Sequence, residues 1–172
     1  MKKYVITGGP GTGKTTVIDE LHKRGYAVVV EVPRMLIEEK KRLNADYSPL
    51  DNPQLFQKEF IDLQIALESE AASAVTFFDR GVVDNYGYSL YYKMPIPEVL
   101  EKSGRGRYDT VFLLDPLPSY NTDGSRFEDK ETALAIHNAI KDGYEKLGYK
   151  LINVPVLPLK ERVDYIVEQL AL

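Results

Sequence analysis

The sequence predicts an α/β fold in which helices cover both faces of a parallel β-sheet. Strand and helix patterns alternate along the 172 residues, as is typical of sheets whose strands are joined by crossover helices. A glycine-rich segment joins the first strand to the first helix, where phosphate groups bind in many proteins. The hydrophobic content of 44% and the charged content of 28% indicate a globular chain with a sizeable core.

Hydrophobic runs and the turn residues between them place the individual elements. Runs rich in β-branched and aromatic residues predict strands at residues 3–7, 26–32, 75–79, 109–115 and 149–154. Helical periodicity predicts helices at residues 14–24, 33–42, 53–73, 82–92, 129–147 and 160–170. Glycines cap two of these helices and a proline opens a third. No linker or repeat interrupts the pattern, so we expect one domain over residues 1–172.

Two helices are long enough for their buried faces to be predicted from residues that recur every three or four positions. The apolar stripe of the first is Leu55, Phe56, Phe60, Leu63, Leu67 and Ala71. That of the second is Ala133, Ile136, Ile140, Tyr144 and Leu147. We expect both stripes to face the core.

The segment GGPGTGKTT follows the first strand and matches the phosphate-loop pattern G-x-x-x-x-G-K-[ST]. Its glycines bring backbone N–H groups close to an anion, and the following helix adds the positive end of its dipole. Lys14 supplies a charge for the β- and γ-phosphates, and Thr15 offers a hydroxyl to Mg²⁺. The predicted nucleoside triphosphate site comprises Gly8, Gly9, Pro10, Gly11, Thr12, Gly13, Lys14, Thr15 and Thr16.

Charged residues that follow two other strands are the next candidates, because ligands of parallel sheets bind beyond the carboxyl ends of the strands. Asp79 can hold magnesium or accept a hydroxyl proton, and Arg80 can bind a phosphate. After the second strand, Glu31 can hold a sugar hydroxyl and Arg34 an acceptor phosphate. An ordinary helix start explains Glu31 and Arg34 equally well.

Three loops or short segments carry weaker signals. The polar residues 116–129 are typical of a lid that closes over a nucleotide, with Arg126 as a candidate arginine finger. Arg105 and Arg107 lie in a glycine-spaced loop that we expect to be solvated. The tyrosines of the fourth helix favour packing over stacking on a ligand: Tyr86, Tyr88, Tyr91 and Tyr92.

Composition excludes several other functions. The chain has no cysteine, so thiolate metal sites and cysteine nucleophiles are excluded. The net charge of −4 argues against nucleic acid as a partner. No apolar run approaches the length of a membrane span, and Met1 leads directly into the first strand without room for a signal peptide. We therefore expect a cytoplasmic protein that does not enter membranes, while its oligomeric state is left open.

The motifs GGPGTGKTT, EVPR, FFDRG, VFLLDP and TDGSRFED, in this order, resemble those of a known family. The chain is similar to the small phosphate-loop proteins described as AAA-type ATP-binding proteins. That family is similar to the ribosylnicotinamide kinase domain of bacterial NAD-biosynthesis regulators and, more distantly, to thymidylate and deoxynucleoside kinases. The third and fourth strands do not end in Asp-Glu, which argues against a ring-forming AAA+ ATPase, and no N-K-x-D guanine signature is present.

The resemblance implies a three-layer P-loop NTPase fold whose five-stranded sheet has the nucleoside-monophosphate-kinase-like order 2-3-1-4-5. It also implies ATP with Mg²⁺, Asp79 at the catalytic centre and Arg126 on the lid. The sequence thus favours a kinase that transfers the γ-phosphate of ATP to a nucleoside, nucleotide or ribosylnicotinamide-like acceptor. An ATPase or regulatory switch that acts through a protein partner is the alternative, and a polynucleotide 5′-kinase is the least favoured.

Overall fold

The computed structural model describes residues 1–30, 32–44, 46, 48, 51–118 and 129–170, with the backbone but not the side chain of Arg34. The strands are β1 (Lys2–Thr7), β2 (Ala27–Val29), β3 (Val75–Asp79), β4 (Thr110–Leu114) and β5 (Leu151–Val154). The helices are α1 (Lys14–Lys23), α2 (Val32–Leu43), α3 (Pro53–Glu70), α4 (Asp84–Tyr91), α5 (Glu98–Ser103), α6 (Lys130–Lys146) and α7 (Leu159–Glu168).

The five strands form one parallel sheet in the order β2-β3-β1-β4-β5, which confirms the predicted topology. Successive residues of a strand point to opposite faces, so each central strand contributes to two cores. Val5 of β1 packs on one face in a cluster shared with α3, α4, α5 and α6. Tyr4 and Ile6 pack on the other face in a cluster shared with α1 and α7. No helix in the described part of the chain is long and apolar enough to cross a bilayer.

The predicted elements differ from the observed ones where a turn takes the place of the predicted end of a strand or helix. The second strand covers only Ala27–Val29, because the chain turns into α2 at Val32, one residue before the proline expected to open that helix. Helix α4 begins at Asp84, since residues 80–83 form the turn after β3. Helix α5 was not predicted, and Pro97 occupies its N-cap position in an extended conformation.

The predicted inner face of α6 is confirmed, because Ala133, Ile136, Ile140, Tyr144 and Leu147 are all buried. The prediction for α3 was wrong in part. Phe60 packs against Val32 and Leu36 of α2, whereas Leu55 is 49% exposed. The face of α3 that is most deeply buried is instead largely polar and consists of Gln57, Ile61, Gln64 and Glu68. Their partners lie on α4 and in the loop before β4, contacts that an apolar pattern cannot reveal.

The prediction of a solvated loop before β4 is confirmed for Arg105, which is exposed, but was wrong for Arg107. Its guanidinium forms an ion pair with Glu68, whose side chain is fully buried. The same carboxylate accepts a 2.7 Å hydrogen bond from the hydroxyl of Tyr108. That hydroxyl in turn accepts the N–H of Val82 at 2.7 Å. Burial, reinforced by Glu68, raises the pKa of Tyr108 well above its ordinary value, so this hydroxyl keeps its proton. The turn after β3 is therefore anchored to α3.

A second buried carboxylate, that of Asp84, joins the turn after β3 to β1 and α6. Its Oδ1 accepts the hydroxyl of Thr7 at 2.7 Å, and its Oδ2 accepts the hydroxyl of Tyr144 at 2.7 Å and the N–H of Gly81 at 3.0 Å. The guanidinium of Arg80 lies 3.4 Å from Oδ1. Four donors thus compensate the burial of one negative charge, as such a group requires.

Helices α4 and α6 cross at a pair of glycines. A Cβ atom on Gly87 would lie 2.4 Å from the Cα atom of Ile140, a distance that real contacts do not show. A Cβ atom on Gly143 would lie 3.1 Å from the backbone nitrogen of Gly87. The close approach depends on the absence of both side chains, and it brings Tyr144 within reach of Asp84.

We expect Gly87→Ala to lower the free energy of unfolding by about 1–3 kcal/mol, because the new methyl group overpacks the helix crossing. The sign of this change is informative, because in an unhindered helix the same substitution would raise the free energy of unfolding by about 1 kcal/mol. Urea denaturation measures the change, with Asn138→Ala on the exposed face of α6 as control. A stabilised Gly87→Ala protein would contradict the observed crossing.

We expect Asp84→Asn to lower the free energy of unfolding by about 3–5 kcal/mol, because an amide cannot accept from all the donors that surround this side chain. Tyr144→Phe removes one of those donors and is expected to cost about 1.5–3 kcal/mol. Urea denaturation of both variants tests the network, and Asp19→Asn, at an exposed position, is the control. Equal effects of Asp84→Asn and Asp19→Asn would refute it.

Candidate active site

The phosphate loop connects β1 to α1 at the carboxyl end of the sheet. Gly13, at the N-cap of α1, has a φ of 85°, in the left-handed region that favours glycine. Gly8 has a φ of 142°, and a Cβ atom there would lie 3.0 Å from the carbonyl oxygen of Leu114. The two glycines therefore let the loop turn tightly over the ends of β1 and β4. The side chain of Thr12 closes the loop by donating to the carbonyl of Gly9 at 3.0 Å.

The ammonium group of Lys14 lies against the loop itself. Its Nζ donates to the carbonyl of Gly8 at 2.9 Å and to that of Gly9 at 2.8 Å. The side chain is buried, so water screens its positive charge less than it would screen the charge of an exposed lysine. The position is the one that the phosphate-loop pattern predicts for a lysine that contacts phosphate.

Thr15 and Asp79 meet beside this loop. The strands β1 and β3 are neighbours, with Ile6 in register with Asp79, so the end of β3 lies next to the start of α1. The hydroxyl of Thr15 donates to Oδ2 of Asp79 at 3.2 Å. Asp79 is only 1% exposed. A hydroxyl and a carboxylate oxygen in contact are hard oxygen donors of the kind that Mg²⁺ prefers, so the two residues fit the predicted metal site.

Arg80 follows Asp79 in a conformation that is unusual for its residue type. Its φ is 73°, in the left-handed region, which costs energy and often occurs at functional sites. Two backbone hydrogen bonds hold it there, from its N–H to Ile6 at 3.0 Å and from Gln64 to its carbonyl at 3.3 Å. The guanidinium lies 5.7 Å above the ring of Tyr88. The structure thus brings Lys14, Thr15 and Asp79 together, although two helices and a strand separate Asp79 from the loop in sequence. Arg80 follows Asp79, and its guanidinium lies 3.4 Å from Oδ1 of Asp84.

The remaining predicted residues lie outside the described part of the structure. Glu31 and Arg126, with most of the predicted lid, are not among the described residues, nor is the side chain of Arg34. The backbone of Arg34 lies in the first turn of α2, which follows β2. The roles predicted for these three residues stay predictions.

The packing role predicted for the tyrosines of α4 is confirmed. Tyr86 is buried in the core, and Tyr88 and Tyr91 pack against that core. The ring of Tyr92 stacks on that of Tyr88, with the centroids 6.4 Å apart, and meets the edge of Tyr91 at 4.9 Å.

Sequence reasoning missed two buried side chains that support the phosphate loop from behind. Arg162 of α7 donates to the carbonyl of Thr12 at 2.8 Å and to that of Asp115 at 3.0 Å. Burial lowers the pKa of this guanidinium, and the nearby Asp115 carboxylate opposes that effect. His137 of α6 accepts the N–H of Gly9 at 3.2 Å. In the sequence both look like polar residues beside an apolar stripe, and no motif marks either.

Comparison with known proteins places this site in a family. A family model described as an AAA domain matches residues 3–162. None of the curated proteins compared with the sequence matches it.

Solved structures share the whole fold at low sequence identity. Deoxyadenosine kinase from M. mycoides with bound dATP superposes with a TM-score of 0.67 and 16% identity, covering 97% of this chain and 98% of that one. The NadR protein in complex with NR gives a TM-score of 0.68 and 20% identity, covering 97% of this chain and 51% of NadR. Thymidylate kinase from Candida albicans gives a TM-score of 0.64 and 14% identity, covering 97% of this chain and 89% of that one.

At these identities the structural similarity establishes the fold alone. The match of the family model is of a different kind, because it covers residues 3–162 of 172 and includes the phosphate loop, Asp79 and Arg80. The chain therefore belongs to the AAA domain family of P-loop proteins, and its fold is that of the nucleoside and nucleotide kinases.

Proposed function

We propose that this protein is a Mg²⁺-dependent kinase that transfers the γ-phosphate of ATP to a small molecule. The observation that carries the proposal is the contact between Thr15 and Asp79 at 3.2 Å, beside the loop that holds the Lys14 ammonium. A phosphate loop alone would support nucleotide binding. The buried carboxylate at the end of β3, followed by the strained Arg80, adds the acidic and basic groups that phosphoryl transfer to an acceptor requires.

On the ATP side, the backbone N–H groups of residues 11–16, at the end of the loop and the start of α1, bind the phosphates. Lys14 exchanges its two loop carbonyls for the β- and γ-phosphate oxygens. Thr15 and Asp79 would hold Mg²⁺, which would neutralise part of the charge on the phosphates. Arg162 lies buried behind the loop and adds a positive charge to the electrostatic field at this site.

In the transfer step, an acceptor hydroxyl oxygen forms a bond to the γ-phosphorus of ATP while the bond from that phosphorus to the β–γ bridging oxygen breaks. ADP leaves, Asp79 orients the acceptor hydroxyl, and the hydroxyl proton passes to water. Arg80 and Lys14 stabilise the negative charge of the phosphoryl group in transit. Catalysis of this kind consists mostly of positioning and charge, so buried, bonded side chains suit it better than solvated ones.

The acceptor is proposed to lie between the end of β3 and the start of α2. Arg80 faces it from one side, and Glu31 and Arg34 are proposed to bind a sugar hydroxyl and a phosphate from the other. Support for a nucleoside-like acceptor comes from the fold neighbours, which include a deoxyadenosine kinase, a thymidylate kinase and NadR in complex with NR. Arg126 is proposed to complete the site from the lid.

We expect Lys14→Ala to lower the rate of ADP formation at least about 100-fold, because it removes a charge that contacts the transferred group. The matched control is Lys23→Ala at the exposed end of the same helix. Both variants should retain the circular dichroism spectrum of the wild type. Wild-type turnover by a folded Lys14→Ala protein would refute the site.

The measurement that tests the kinase is ADP release from Mg·ATP, alone and with separate pools of nucleosides, nucleotides and ribosylnicotinamide. Stimulation by one pool, accompanied by a phosphorylated product, supports the proposal. Lysine-dependent release that no pool changes would instead favour an ATPase or a switch that acts through a protein partner. Absence of both binding and release would refute the ATP site itself.

A further inference from the structure

The His137 imidazole faces the phosphate loop as a hydrogen-bond acceptor. Its Nδ1 lies 3.2 Å from the backbone nitrogen of Gly9, and the side chain is only 6% exposed. A backbone N–H can only donate, so Nδ1 must carry its lone pair and the ring proton must be on Nε2. The imidazolium form has protons on both nitrogens and cannot accept this bond.

The contact between His137 and Gly9 is close as well as polar. A Cβ atom on Gly9 would lie 2.6 Å from the carbonyl oxygen of Ala133 and 2.8 Å from Cβ of His137. The loop therefore rests directly on the turn of α6 that carries His137. The imidazole itself occupies the space beside the buried Gly9 N–H, so its protonation would leave that N–H without an acceptor.

Gly9 also accepts hydrogen bonds from two side chains of the phosphate loop and the start of α1. The carbonyl of Gly9 accepts from Nζ of Lys14 at 2.8 Å and from the hydroxyl of Thr12 at 3.0 Å. His137 thus fixes one side of Gly9 while Lys14 and Thr12 bind the other. A rotation of the Gly8–Gly9 peptide would move the ammonium that is proposed to contact phosphate.

Charged groups from three directions face the imidazole: Asp115 after β4, Lys14 of α1 and Lys141 of α6. Burial lowers the pKa of His137 below its ordinary value, the two lysines lower it further, and Asp115 raises it. The neutral form is therefore favoured in the folded protein. Its contribution to stability is present above the ordinary histidine pKa of about 6.5 and is lost as the pH falls through the lower folded value.

We propose that His137 is a positioning residue of the phosphate loop, which holds Gly9 through its neutral imidazole and weakens nucleotide binding when it becomes protonated. The nucleotide part of this inference rests on the proposed ATP site. The loop part does not, because the contact is present in the nucleotide-free protein.

The loop part is tested by NMR on the nucleotide-free protein. The chain has two histidines, so a His22→Gln variant, altered at an exposed position, assigns the imidazole signals of His137. We expect the Nε2-protonated tautomer at pH 7.5 and a Gly9 amide signal that shifts with the same midpoint as the His137 imidazole. A Nδ1-protonated tautomer, or a Gly9 amide that ignores the titration, would overturn the inference whether or not the protein binds ATP.

The nucleotide part is tested by Mg·ATP binding between pH 5.5 and 8.0 with two matched variants. The amide oxygen of His137→Asn takes the place of Nδ1 and can accept from Gly9 without titrating. The longer His137→Gln places its amide near the position of Nε2. At pH 8.0 we expect His137→Asn to bind within about threefold of the wild type and His137→Gln to bind about tenfold more weakly.

The terminal phosphate of ATP itself titrates near pH 6, so the informative quantity is the ratio of wild-type to His137→Asn affinity at each pH. We expect the wild type to lose several-fold more affinity than His137→Asn as the pH falls. A constant ratio would overturn the positioning role even if binding is strong. Absence of ATP binding by every protein at every pH would instead refute the ATP site and leave the loop contact to be decided by NMR.

Discussion

The Asp84 carboxylate is the interaction on which the rest of the site depends. It joins the end of β1, the turn after β3 and the last turn of α6 through Thr7, Gly81 and Tyr144. A buried charge is tolerated only when donors surround it, so the three elements cannot separate without leaving that charge uncompensated. The phosphate loop begins at the residue after Thr7, and Asp79 and Arg80 precede Gly81. One carboxylate therefore sets the distance between the two halves of the candidate active site.

The polar face of α3 also holds the turn after β3 in place. Glu68 binds Arg107 and Tyr108, and Gln64 binds the carbonyl of Arg80. An apolar face would bury as much area but would tolerate small shifts, whereas directional hydrogen bonds specify one arrangement. Arg80 has a left-handed backbone conformation that costs energy, and it persists only because the surrounding hydrogen bonds hold it. The site is thus supported by polar networks within a core that is otherwise apolar.

The phosphate loop has a corresponding support on its far side. Arg162 contacts the carbonyl of Thr12 from α7, and His137 contacts the N–H of Gly9 from α6. The two bonds hold the loop on the side that faces α6 and α7. Helices that look peripheral in the topology therefore contribute directly to the geometry of a loop at the other end of the chain.

Much of the fold could be predicted because local patterns and the phosphate loop agree. The alternation of strands and helices indicated the parallel sheet, and the spacing of Gly8, Gly13 and Lys14 located the triphosphate site within the sequence. The apolar residues on the inner face of α6 followed from their period, whereas His137 on the same helix did not. The sheet, the loop and this helix face all depend on residues that are close in sequence, so a sequence pattern indicates them directly.

Only the tertiary structure decided which polar residues are buried and what they bind. Glu68, Asp84, His137 and Arg162 look like solvated residues in a helical pattern, yet all four are buried. Each has at least one hydrogen-bond partner that lies 39 or more residues away in the sequence. The sequence by itself determined the fold class and the position of the phosphate-loop motif. The supports of that loop came from contacts across the sheet, because hydrogen-bond partners distant in sequence leave no periodic signal.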